Sequence, residues 1–143
     1  MGMIANDRQY QHTRKQIAEL ESTLAAVESG SAGDDGFRDL QADAVRGVLE
    51  DMRKEVAEYD ELRSGSSSVI QASSLSGLAE ALIKARIARG WTQADLAAAL
   101  SVAEQQVQRY EASRYSGASL ARLCDVAQAL NISVTETVVL LAS

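Results

Sequence analysis

Three observations in the sequence predict an all-α protein in two parts. Proline is absent and aromatic residues make up only 4% of the chain. Ala, Leu, Glu, Gln and Arg, which lose little rotamer freedom in a helix, fill the long periodic segments. Through the first half, apolar residues repeat at alternating steps of three and four, the period of a narrow stripe along one helix face. In the second half that period breaks into short segments, each opened or closed by a capping residue.

The first stripe runs through residues 6–28 on Tyr10, Thr13, Ile17, Leu20, Leu24 and Val27. A second, on Ala42, Val45, Leu49, Met52, Val56, Tyr59 and Leu62, predicts a helix over residues 37–63. Between them, residues 29–36 are small and turn-forming and cannot hold a helix. Two helices of similar length with a short loop form an antiparallel, coiled-coil-like hairpin. Its apolar face is narrow, so residues 1–66 are expected to serve dimerisation or partner binding. The Ser-rich residues 64–68 have linker composition and end the second helix.

Residues 67–143 form the second part, a bundle of five expected helices. Leu78, Leu82 and Ala85 mark the first, which ends at Gly90, a residue suited to the left-handed conformation that closes helices. Thr92 caps the second, residues 93–100, and Asp95 stands where a capping box needs it. Ser101 and Val102 make a turn into the third, residues 103–112. Ser119 caps the fourth, residues 120–130. Ser133 and Glu136 have capping-box spacing for a fifth, residues 134–141.

Charge separates the two parts. The net charge is −6. Residues 1–66 carry 8 Lys/Arg against 14 Asp/Glu, while residues 67–143 carry 6 of each. The second part is therefore neutral overall, and Lys84, Arg86, Arg89, Arg109 and Arg114 make a basic patch within it rather than a basic domain.

The turn joining the second and third short helices has a geometry that the residues explain. Two helices meeting steeply need a small residue where their backbones approach, and Ala97 supplies it. Leu96, Val102, Val107 and Tyr110 fill the shared core. The outward face of the third helix is left with Glu104, Gln105, Gln106, Gln108 and Arg109, side chains that match the donor and acceptor pattern of base edges in the DNA major groove.

Over residues 75–141 the sequence resembles the phage-repressor and Cro family, often called the Xre family, of helix-turn-helix regulators. The resemblance rests on Arg86-Ile-Ala-Arg-Gly-Trp-Thr-Gln-Ala-Asp-Leu-Ala, on Val107-Gln-Arg-Tyr-Glu, and on the run from Leu120 to Val134. It implies that the five expected helices make a repressor-like domain that binds double-stranded DNA as a sequence-specific transcriptional regulator. It implies that Gln93, Glu104, Gln105, Gln106 and Arg109 face the groove, that Thr92, Arg114 and Arg86 lie near phosphates, and that Arg86 pairs with Glu111. The chain departs from the family at Ser101, where Gly is usual, and at Ala103, where a Ser or Thr cap is common. A missing cap costs roughly 1 kcal/mol. With its N-terminal hairpin, the chain is also similar to antitoxins of bacterial toxin and antitoxin operons. That similarity implies a cognate toxin as a second partner, while the few base pairs that one groove-reading helix can contact lead to the expectation of a homodimer on an inverted-repeat operator.

Other chemistry finds little support. His12 has no Cys or second His beside it and reads as a surface residue rather than a metal ligand. Cys124 reads as a small buried hydrophobe and Trp91 as a packing residue between helices. Asp34, Asp35 and Asp39 sit in or near the expected loop, without the fixed geometry of an acid and base pair. No phosphate loop or nucleophile motif is present, so the expectation is a non-enzyme with no cofactor and no metal. One cysteine allows no internal disulfide, no apolar run approaches the roughly 20 residues of a membrane span, and the polar start is no signal peptide, which points to the cytoplasm. The alternative function is a non-catalytic interaction protein or coactivator that keeps the fold and bridges other factors.

Overall fold

The computed structural model describes residues 2–30 and 35–143. Half of the expected loop over residues 29–36, residues 31–34 with Asp34, lies outside the described residues, and of the rest Ser29 ends one helix while Asp35 and Gly36 open the next, where no helix was expected. The chain divides into two compact units, Met1–Ser68 and Val69–Ser143. Every regular element among the described residues is helical.

The first unit holds α1 (Asp7–Ser29) and α2 (Asp35–Arg63). Helix α1 starts where Asn6 Oδ1 accepts from the Gln9 backbone N–H at 2.8 Å, satisfying one of the donors that a helix start leaves open. The helices run antiparallel, and their polar rungs follow that order. Arg63 reaches Asp7 at 3.2 Å, the Tyr10 hydroxyl donates to Asp60 at 2.8 Å, Arg53 reaches Glu21 at 2.8 Å, and Arg46 pairs with Glu28. Each exposed ion pair contributes under about 1 kcal/mol, so the rungs fix register more than they stabilise. Inside them, the stripe of α2 buries Ala42, Leu49, Tyr59 and Leu62. From α1 only Thr13 is buried, while Ile17, Leu20, Leu24 and Val27 are half-buried. The Tyr10 and Tyr59 rings meet at 5.1 Å between centroids. Helix α2 ends where Gly65 takes a left-handed φ of 71°.

The second unit holds α3 (Leu75–Ala88), α4 (Gln93–Leu100), α5 (Glu104–Ala112) and α6 (Leu120–Ala129). Its core is Leu82, Ile83, Ile87, Leu96, Val107, Val126 and Leu130, with Ala97 buried where α4 packs on α5. Side-chain caps open three of the helices. The Ser74 hydroxyl accepts from Gly77 N–H at 2.9 Å, Ser119 from Arg122 N–H at 3.1 Å, and Thr92 and Asp95 complete a reciprocal capping box. Helix α5 starts at Ala103 with no side-chain cap.

All four helices close the same way. A left-handed residue, Gly90, Ser101, Arg114 or Asn131, follows the last turn. The next N–H then reaches back five residues: Trp91 to Arg86, Val102 to Ala97, Tyr115 to Tyr110 and Ile132 to Ala127. This is the Schellman closure. Only one of the four closing residues is glycine, so Ser101 and Arg114 hold a conformation that disfavours a Cβ.

The expected fifth helix is corrected. Residues 132–143 contain no helix, turn or bend, and Ser133 and Glu136 make no capping box. Ile132, Val134, Thr135, Thr137, Val138 and Val139 are β-branched and lose side-chain freedom in a helix. A helix of that length is marginal unless an apolar face packs, and Val138 to Leu141 lie exposed. The expected burial of Cys124 is also corrected: it is exposed, because Val126 and Leu130 define the inward side of α6 and residue 124 is on the far side.

Candidate nucleic-acid interface

Helix α5 shows one polar face outward and one apolar face inward. Val107 is fully buried and Glu111 nearly so, while Gln106 and Tyr110 are half-buried on the adjoining edge. At 100° per residue this leaves Ala112 and Gln105 near the middle of the exposed arc, with Arg109 at one margin beside Gln106 and Gln108 and Glu104 towards the other. Gln105 and Arg109 are one turn apart and project together. Gln108 Nε2 donates to Glu104 Oε1 at 3.4 Å. Arg109 makes no ion pair among the described residues, so its guanidinium is available to a ligand.

Beneath this face lies a buried polar cluster. Arg86 Nε donates to Glu111 Oε2 at 2.6 Å and its Nη2 to Oε1 at 2.8 Å, a forked pair. Arg86 Nη1 donates to the Trp91 carbonyl at 2.8 Å, and Gln93 Nε2 donates to Glu111 Oε1 at 2.9 Å. The cluster thus ties α3, the turn before α4, α4 itself and α5 together. Trp91 is half-buried above it.

Two expected placements are corrected by this cluster. Gln93 is 5% exposed and Arg86 is 2% exposed, so neither side chain faces outward. Arg86 spends its donors inside the unit and cannot act as a phosphate contact in this arrangement. The reason is the buried Glu111 carboxylate, whose charge demands several donors at once. The basic patch also disperses. Arg89 donates to the Leu130 carbonyl at 2.9 Å and the Asn131 carbonyl at 2.7 Å, where the end of α6 concentrates partial negative charge. Arg114 lies 3.8 Å from Glu80. Thr92, exposed at the start of α4, and Arg114 remain on the surface.

One buried group has no signal in the sequence. Tyr115 is 3% exposed, stacks on Tyr110 at 5.6 Å between centroids, and holds a left-handed φ of 57°. Its hydroxyl is buried and has no hydrogen-bond partner among the described residues. Burial, and after it the Glu111 carboxylate, pushes its ionisation well above the ordinary tyrosine range. No local pattern around Tyr115 distinguishes it from an exposed loop tyrosine.

Among the described residues no helix is long and apolar enough to cross a membrane, and no group of His, Cys, Asp and Glu could hold a metal ion. Residues 82–136, from within α3 to Glu136 beyond α6, match the helix-turn-helix family HTH_3. The match supports a DNA-binding transcriptional regulator. No curated protein and no solved structure matches the chain.

Proposed function

We propose that the second unit reads double-stranded DNA by laying α5 in the major groove, and that the protein is a sequence-specific repressor acting as a homodimer on an inverted repeat. The observation that carries this reading is the outward arc of α5, where Gln105 and Arg109 project together from a helix anchored by the Arg86 and Glu111 pair. Gln pairs bidentately with adenine and Arg with guanine, each worth about 1–3 kcal/mol of discrimination. Gln106 and Gln108 flank them. Glu104 suits the start of a helix and a cytosine amino group, and it repels phosphate. Thr92 and Arg114 are the phosphate contacts in this reading, and Gln93 orients Glu111 from inside. A single recognition helix covers few base pairs, and two-fold symmetry doubles the readout.

The hairpin supports a second binding role. It carries the whole excess of acidic residues, and Phe37, Leu40 and Val48 stand exposed on α2. An acidic surface with apolar anchors fits a basic protein partner, in keeping with the neutralisation of a ribonuclease-type toxin. A gel-shift assay with the DNA upstream of the protein's own gene tests the main reading. A discrete complex that survives excess unrelated DNA is expected. Binding no tighter than to unrelated DNA would favour the bridging alternative.

A further inference from the structure

Residues 132–143 end the second unit without helix, turn or bend and hold one charged residue, Glu136, in a chain that is 24% charged. Val138 is 89% and Leu140 92% exposed, with Val139 and Leu141 exposed between and beyond them. Among the described residues, the backbone N–H groups of 133–143 make no hydrogen bond. Four consecutive exposed apolar residues whose backbone makes no hydrogen bond among the described residues are open to pairing with another chain. At the root of the segment is a recess of about 140 Å³, lined by Ile70, Leu78, Leu82, Thr135 and Glu136 among others. A cavity of about 150 Å³ takes a benzene-sized group, so this recess has room for one leucine side chain.

We propose that this segment pairs with the same segment of a second copy as antiparallel strands crossing at Val138, each seating Leu141 in the recess of the other. The segment is its own complement in this register. Val138 meets its equivalent, Thr137 meets Val139, Leu140 meets Glu136 and Leu141 meets Thr135. These are mostly β-branched and aliphatic pairs, which stabilise a sheet. The crossing delivers Leu140 and Leu141 to the two residues that rim the recess of the partner copy. It also keeps the two Glu136 carboxylates apart, whereas parallel pairing in register would set them side by side. A bare two-stranded ribbon is marginal in water, and the seated leucines supply the packing that it needs. The proposal deepens the reading of the protein as a homodimer by assigning the surface that joins the copies.

Disulfide trapping in the full chain, without DNA, tests it. In a Cys124→Ser background, Val138→Cys places two thiols at the crossing, and Leu120→Cys, exposed at the start of α6, reports random collision. Under mild oxidation with glutathione disulfide, Val138→Cys should give at least several times more covalent dimer than Leu120→Cys. Adding Leu140→Asp and Leu141→Asp should bring it down to the Leu120→Cys level with helical circular dichroism unchanged. Equal cross-linking of the two cysteines, or cross-linking indifferent to the Asp substitutions, would overturn the proposal. A trapped dimer that binds no DNA would leave the pairing intact and count against the DNA-binding reading alone.

Discussion

Arg86 and Glu111 meet through two hydrogen bonds of 2.6 and 2.8 Å with both side chains 2% exposed, so α5 is pinned to α3 by a pair shut away from water. Losing one partner strands the other charge in a poorly solvating interior. Glu111→Ala should therefore destabilise the second unit by about 3–5 kcal/mol. Arg114→Ala removes an ion pair at 3.8 Å with the half-buried Glu80 and should cost less than about 1 kcal/mol. Thermal unfolding followed by circular dichroism separates the two, and equal melting temperatures would contradict the pinning role.

Tyr115 gives a pH-dependent prediction. Its folded-state ionisation lies well above the ordinary value of 10, because burial and the Glu111 carboxylate oppose the phenolate. Below pH 10 the phenol is neutral in both states. As pH rises past 10 the unfolded chain releases this proton while the folded one retains it, so stability falls through that range. Tyr115→Phe removes this dependence and also the buried hydroxyl that has no partner among the described residues. The variant should match or exceed the wild type by up to about 1 kcal/mol at pH 7. It should also lose less stability than the wild type in urea titrations between pH 9 and 11.

The turn between α4 and α5 leaves two local features unoptimised. Ser101 holds φ 58° and ψ 41°, where glycine is free of the Cβ penalty, and Ala103 caps α5 with no side-chain oxygen. Ser101→Gly and Ala103→Ser should each stabilise by about 1 kcal/mol. Because the sites lie on opposite sides of a short turn, the double variant tests whether the gains add. A loss of stability in Ser101→Gly would mean that the serine makes a compensating contact.

What the sequence made legible was local chemistry. Gly90, Thr92 with Asp95, and Ser119 mark helix ends by mechanisms that act within a few residues, and the structure places the ends there. The alternating stripes on α1 and α2 were readable for the same reason. What failed depended on distant partners. The demand of Glu111 for donors draws Arg86 and Gln93 inward, and the open carbonyls at the end of α6 occupy the guanidinium of Arg89, which stays exposed. Ser133 and Glu136 offered a valid start signal, yet the β-branched residues around them disfavour a helix and Val138 to Leu141 stay exposed.

In the proposed function α5 reads bases through Gln105 and Arg109 while Thr92 and Arg114 hold the DNA backbone. Binding selection from a pool of randomised duplex DNA, run in parallel with the wild type, Arg109→Ala and Arg114→Ala, tests this most directly. The wild type should select an inverted repeat with half-sites about one helical turn apart. Arg109→Ala should lose its preference at one position of each half-site and keep the others. Arg114→Ala should keep the whole preferred sequence while binding every sequence more weakly, with a salt slope lower by about one unit for each phosphate no longer neutralised. An unchanged preferred sequence in Arg109→Ala, or no enriched sequence with the wild type, would contradict base reading by α5.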